Sequence, residues 1–182
     1  MRTLAGLLCL AMCGCVVSVQ PVVSATGATL DARLVGTWGE VDGKDRIVVS
    51  RGDANTYEIQ YTEGDGKVGH FEARLGRLGL RTVIDVQPSP RESSPMPEGP
   101  SLIRGHIIYV VAIAADSVRM QLLDPKALRA AIKNKSAALG SFDDHDQLVL
   151  TGGTDELRRV LAGYIEMKGA LDDPSTWRRV AR

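Results

Sequence analysis

The feature that most constrains the fold of this chain is a two-residue alternation of apolar and polar side chains between glycine-rich turns. Residues 56–62 alternate in this way, which is typical of a strand with one buried face. Residues 63–66 (Glu-Gly-Asp-Gly) predict a hairpin turn, after which Phe71, Ala73 and Leu75 alternate with polar neighbours. The pattern predicts an antiparallel sheet that is built from consecutive hairpins.

Further segments of the same kind lie before and after this hairpin. Residues 103–115 are apolar on both faces and therefore predict the most buried strand, and residues 118–123 follow after a short turn. Counting all such segments gives seven or eight antiparallel strands; the others lie at 36–41, 47–49, 81–86 and 147–151. Evenly spaced strands of this number form either a sandwich or a barrel.

Two helices are predicted in the second half of the chain. Asp124 and Pro125 are typical of a helix start, because the carboxylate caps free amides and proline is tolerated in the first turn. A second helix begins at residues 152–154 (Gly-Gly-Thr), and Asp155 and Glu156 lie at its positive end. We therefore expect a mainly β domain with peripheral helices near its end.

The leader of the chain indicates export. It begins with Arg2 and an apolar run and contains all 3 cysteines, Cys9, Cys13 and Cys15, which is typical of a bacterial secretory signal. Residues 12–15 (Met-Cys-Gly-Cys) resemble a lipobox, which implies cleavage before Cys15 and an acyl anchor such as palmitate at that residue. Because Val16 rather than aspartate follows Cys15, resemblance to Gram-negative sorting implies an outer-membrane lipoprotein.

A second cleavage site competes with this one. Residues 23–25 (Val-Ser-Ala) fit an ordinary signal-peptidase site, which would release a periplasmic or secreted soluble chain that starts at Thr26. A retained membrane helix is the third alternative. The apolar stretch 4–19 is shorter than the roughly 20 residues that a spanning helix needs.

These patterns divide the chain into three parts. Residues 1–14, or alternatively 1–25, are expected to form the signal peptide, and residues 15–29 a short tether without a helical pattern. Residues 30–182 are expected to form a single barrel domain. Within it, residues 87–101 hold five of the 8 prolines, so this segment is expected to be an exposed connection.

The first strand carries a Gly-x-Trp motif, Gly36-Thr37-Trp38, directly after a predicted helical turn. The motif resembles the first signature of the lipocalins and the wider calycin superfamily, and the order of elements is similar to that of small bacterial lipoproteins with a lipocalin-like domain. The resemblance implies an eight-stranded barrel whose closed end is plugged by Trp38. It also implies that a late arginine, Arg178 or Arg179, packs over this tryptophan.

A barrel of this size either is filled by its own side chains or holds one small ligand. We expect a binding protein with a modest apolar cavity that opens away from Trp38; the candidate lining residues are Tyr57, Tyr61, Phe71, His106, Tyr109 and Met120. For His106, a role in the core is the competing interpretation. The alternative function is an interaction or structural module of the envelope with a solid barrel core.

Other functions have less support in the sequence. Lys and Arg (22) balance Asp and Glu (22) without long runs of either sign, so no nucleic-acid footprint is present. No nucleophile and base are paired, so we expect no enzyme and no cofactor. Residues 143–146 (Asp-Asp-His-Asp) lack the spacing of a calcium loop and are interpreted as a polar turn rather than a metal site.

Overall fold

The computed structural model describes residues 15–89, 105–145 and 147–180. The described residues form eleven strands and two α-helices. The strands are β1 (Val16–Ser18), β2 (Gly36–Glu40), β3 (Arg46–Arg51), β4 (Tyr57–Thr62), β5 (Val68–Leu78), β6 (Arg81–Pro88), β7 (His106–Ile113), β8 (Ser117–Leu122), β9 (Ser141–Asp144), β10 (Gln147–Leu150) and β11 (Ser175–Arg179). The helices are α1 (Pro125–Lys133) and α2 (Thr154–Tyr164).

Eight of these strands close into an antiparallel barrel. Strands β2 to β8 pair in sequence order, and β11 lies between β8 and β2. The predicted mainly β fold, with a closed antiparallel barrel and two late helices, is therefore confirmed. The sequence pattern did not identify β11, because its five residues include only one apolar side chain, Trp177, and its strand conformation depends on pairing with two distant partners.

The remaining strands extend the sheet at one side of the barrel. Along one edge of β7, pairing with β8 ends where Leu122 lies opposite Tyr109, and β1 then continues along that edge with Val17 opposite Ile107. On its other side β1 runs parallel to β10, which in turn pairs with β9. These three strands form a flange on the barrel.

The expectation that residues 15–29 form a tether is wrong. Residues 16–18 are a strand, Val22 and Val23 are fully buried, and Thr29 forms an isolated bridge with Leu75. A strand of three residues is too short for its alternation to be read from sequence. Its partners in β7 and β10 lie about ninety and one hundred and thirty residues further along the chain.

The proline-rich connection begins later than predicted. Strand β6 continues through Gln87 and Pro88, and Pro88 lies opposite Phe71 of β5. Proline is tolerated at a strand end, where no ladder bond requires its missing N–H. The rest of the predicted connection, residues 90–101, lies outside the described residues.

Apolar side chains form two separate cores, one on each face of the barrel wall. The lumen cluster contains Trp38, Tyr57 and Trp177 together with smaller residues, and every barrel strand contributes at least one side chain to it. The outer cluster lies between the outer face of β6 and β7, the flange and the two helices, and it includes Val83, Ile108 and Leu157. The helices therefore cover the barrel from outside, and neither they nor any other described helix is long and apolar enough to cross a membrane.

A buried carboxylate attaches the N-terminal segment to the outer face of the barrel. Asp85 of β6 is 3% exposed. One of its oxygens accepts hydrogen bonds from the amides of Val22 and Val23, at 2.5 and 2.9 Å, and the other lies 2.7 Å from Nδ1 of His106. The carboxylate thus satisfies two buried amides and one imidazole, which would otherwise be without partners in an apolar core.

We expect Asp85→Ala to lower the free energy of unfolding by about 3–5 kcal/mol, because it leaves these buried polar groups unpaired. Urea denaturation should measure the decrease in the free energy of unfolding. Hydrogen exchange should become faster first at the amides of Val22 and Val23. The control is Asp116→Asn, at an exposed turn, which should change stability by less than about 0.5 kcal/mol. A similar small effect of Asp85→Ala would show that the N-terminal segment is held without this carboxylate.

Candidate functional site

The barrel is closed at the end where β2 begins. A single 3-10 turn, Ala32–Leu34, precedes this strand and lies across the opening. Leu34 is buried in the lumen cluster, and its carbonyl oxygen accepts a hydrogen bond of 2.9 Å from the indole nitrogen of Trp38. Tyr57 completes the cap, since its hydroxyl contacts both the amide and the carbonyl of Asp31. The lumen therefore has one sealed end.

Arg179 fastens this cap to the end of the barrel. Its guanidinium lies over the ring of Trp38, 4.3 Å from the ring centre. The same group donates hydrogen bonds to three carbonyl oxygens, those of Arg33, Val35 and Ala115, at 2.5, 2.9 and 3.3 Å. One side chain thus joins the 3-10 turn, the start of β2 and the turn between β7 and β8.

Arg178, the other candidate for packing over Trp38, does not take part in this contact. It is exposed and alternates with Trp177 and Arg179, both of which lie on the face toward Trp38. Gly36 does contribute. It adopts a positive φ of 144°, and a Cβ at this position would collide with the guanidinium of Arg179. The Gly-x-Trp spacing places this glycine and Trp38 two residues apart on the same strand face, next to one arginine.

The candidate cavity residues separate into three groups. Tyr57, Tyr61, Tyr109 and Met120 all belong to, or pack against, the lumen cluster. Phe71 is partly exposed and shares its face of β5 with Ala73, which is in the lumen. The assignment of His106 to the cavity is wrong. It lies on the outer face of β7 beside Asp85, because the face that carries Tyr109 and Val111 is the one that points inward.

Lumen side chains near the end opposite the cap are partly exposed. These residues, which we call the mouth, are Ile59, Tyr61, Val86, Tyr109 and Met120. Nearer the cap, Trp38 and Tyr57 are 2% and 1% exposed. Side chains therefore fill the closed half of the lumen, while the mouth presents an apolar surface that solvent reaches.

Carboxylates surround one side of the mouth. The hydroxyl of Tyr61 donates a hydrogen bond to Asp45, on the turn between β2 and β3. Burial, followed by the effects of Asp45, Glu63 and Glu40, raises the pKa of this phenol well above its usual value. Burial and the neighbouring Asp45 also raise the pKa of Glu40.

A second acidic group lies on the other side, where β8 ends and β11 begins. Burial and then the charge of Asp124 raise the pKa of Asp172. Cys15 lies close to this group and to Tyr109. Burial and then Asp172 raise the pKa of its thiol, while burial and then Cys15 raise the pKa of Tyr109 to about 12. Cys15 is therefore at the mouth.

Other polar candidates from the sequence have structural roles. Asp143 pairs with Arg129 at 2.7 Å, and His145 contacts Asp144 at 2.9 Å, whereas the side chain of Asp146 lies outside the described residues. Within the described part of the chain, no group of three or more His, Cys, Asp or Glu side chains is placed to hold a metal ion. At the start of α2, the hydroxyl of Thr154 donates to the carbonyl of Pro21, which ties this helix to the N-terminal segment.

No protein-family model matches the chain, and comparisons with curated proteins and with solved structures find no match. The function is therefore inferred from the residues of the barrel and their contacts. Sequence reasoning missed Asp45 and Asp172 at the mouth, since both lie in polar turns without a motif. It also missed the inward position of Trp177, whose ring packs edge-on against Tyr61 with 6.5 Å between ring centres.

We expect Arg179→Ala to destabilise the protein by about 1–3 kcal/mol, because it removes the stacking on Trp38 and three hydrogen bonds at the cap. Arg178→Ala is the matched control, with the same change one residue away, and should have an effect below about 0.5 kcal/mol. Thermal and urea unfolding, followed by the combined fluorescence of Trp38 and Trp177, measure both. Equal effects of the two variants would contradict the role of Arg179 as the fastener of the cap.

Proposed function

We propose that this protein is a lipid-anchored envelope protein whose lipocalin-like barrel binds a small apolar ligand at the mouth. The observation that carries the proposal is the partial exposure of five apolar or aromatic residues that point into the barrel. An exposed apolar surface of this kind is unfavourable in a protein without a ligand, because the removal of apolar side chains from water lowers the free energy. A ligand seated at the mouth would cover them.

The filled half of the lumen limits how far a ligand could enter the barrel. Trp38, Tyr57 and Leu75 occupy the space below the mouth and are buried. The ligand would therefore sit near the opening rather than along the barrel axis. The same filled half also favours the second candidate function, an interaction module of the envelope with a solid core, if the mouth binds no small molecule.

The fold supports anchoring at Cys15 over cleavage after Ala25. Cleavage after Ala25 would remove β1 from its place between β7 and β10. It would also remove Val22 and Val23 from the outer core and leave Asp85 without its amide partners. Cleavage before Cys15 keeps all of these contacts.

Cys15 lies directly next to the folded domain, so no linker would separate an anchor on this residue from the barrel. Val16, the next residue, already belongs to β1 and is 4% exposed. An acyl chain on Cys15 would thus leave the protein beside Tyr109 without an intervening linker. We propose that the mouth is held close to the membrane in the outer-membrane lipoprotein.

Binding at the mouth is tested with Val86→Arg, which places a charge among the lumen side chains. We expect the affinity for the neutral dye N-phenyl-1-naphthylamine to fall at least about tenfold, because burying a charge costs far more than the 1.4 kcal/mol that this factor represents. Dye fluorescence measures the affinity, and circular dichroism checks the fold. Val48→Arg is the control, since Val48 lies on the outer face of β3 and is already 41% exposed.

Native mass spectrometry of protein purified from its own envelope should also detect a bound small molecule. Equal dye affinity in both variants, together with a ligand-free native mass, would reject the binding function and favour the interaction module.

The anchor is tested by mass spectrometry of the mature N-terminus. We expect an acylated peptide that begins at Cys15, and we expect Cys15→Ala to leave the chain unprocessed or without an anchor. An unmodified N-terminus at Thr26 would contradict both the anchor and the requirement of the fold for residues 16–23.

A further inference from the structure

One strand of the sheet has an open edge. Each described strand has a neighbour on both sides except β9, which pairs with β10 alone. The amide of Thr151 donates to the carbonyl of Gly140 at 2.9 Å, and the bonds of an antiparallel pair alternate from one residue to the next. Ser141 and Asp143 therefore point their amides and carbonyls away from β10, to a side where no other described strand lies. Backbone groups on an open edge are a template for an added strand.

A row of apolar side chains ends at this edge. Residues directly opposite each other on paired strands share a face, and the pairings from β6 to β9 form one row of Val86, Ile107, Val17, Val149 and Phe142. Val149 has a strand on either side and is 3% exposed, whereas Phe142, the last residue of the row, is 43% exposed. A further strand with an apolar residue opposite Phe142 would bury this ring.

Two carboxylates follow Phe142 on the same strand. Asp143 points to the face of α1, where Nε of Arg129 lies 2.7 Å from its carboxylate. Asp144 shares the face of Phe142, and its side chain, which contacts His145 at 2.9 Å, is still 51% exposed. Charged residues on an edge strand oppose pairing with a strand of like charge, which includes a second copy of β9. The same charges favour a strand that carries Lys or Arg.

We propose that β9 is a docking edge, at which an extended segment of another protein adds a strand to the flange. The backbone groups of Ser141 and Asp143 would bond to this segment. The segment would carry an apolar residue opposite Phe142 and a Lys or Arg opposite Asp144, two positions along on the same face, and this spacing would set its register. The docking edge is separate from the proposed ligand site at the mouth.

The test is photo-cross-linking in the protein's own cells. The photoreactive residue p-benzoylphenylalanine replaces Phe142 in the full-length chain. We expect a cross-link to one discrete protein, and mass spectrometry should place it in an extended segment with an apolar residue at the cross-link and Lys or Arg two positions away. The control carries the same photoreactive residue in place of Val48, which is 41% exposed on a strand with neighbours on both sides and should give no such cross-link.

A synthetic peptide of the cross-linked segment then measures binding to the purified protein by fluorescence anisotropy. Ser141→Pro removes one outward amide and should weaken binding about three- to tenfold, the worth of one backbone hydrogen bond. Asp144→Lys should weaken it by at least a similar factor, while Asp116→Lys, the same change at an exposed turn, should leave it unchanged. The peptide should also slow hydrogen exchange at the amides of Ser141 and Asp143. Circular dichroism checks that each variant is folded.

The outcomes distinguish this proposal from the ligand site. A cross-link to a second copy of this chain, a cross-link to lipid alone, or a pattern equal to that of the Val48 control would overturn the docking edge. Unchanged peptide affinity in both Ser141→Pro and Asp144→Lys would show that the segment binds elsewhere. The dye affinity of the mouth should stay the same in these variants, so failure of the edge and failure of the ligand site are measured separately.

Discussion

Closure of the sheet by β11 is the constraint on which the rest of the structure depends. This short strand pairs with β2 on one side and β8 on the other, and it thereby removes the two free edges that a sheet of seven strands would leave. It also carries Trp177 into the lumen and Arg179 onto Trp38. Without β11 the barrel would have neither a closed wall nor a fastened cap, and the mouth would not exist as a separate end.

The barrel wall separates two cores with different roles. The lumen cluster combines fully buried side chains near the cap, such as Trp38 and Tyr57, with the partly exposed side chains of the mouth, so one apolar cluster provides stability and the surface of the proposed ligand site. The outer cluster gives stability alone, because the helices and the flange cover it. This division explains why two residues of one strand, His106 and Tyr109, have different surroundings: a difference of three positions places them on opposite faces of the wall.

The N-terminal segment is an integral part of the fold. Asp85 binds the amides of Val22 and Val23, and β1 lies between β7 and β10, so residues 16–23 form part of the domain. An anchor at Cys15 would consequently hold the barrel at its mouth.

The sequence alone determined the strand pattern, the two helix starts and the Gly-x-Trp position, because each depends on neighbours within a few residues: alternation, capping and a tight backbone approach are local. Tertiary structure decided what depends on distant partners. The three residues of β1 and the arginine-rich β11 become strands only by pairing across the chain, and this pairing selects Arg179 over Arg178 as the partner of Trp38. Alternation within the strands was enough to propose Tyr61, Tyr109 and Met120 as lumen residues, whereas the turns that lie beside them, such as the turn of Asp45 next to Tyr61, are set only when the barrel closes.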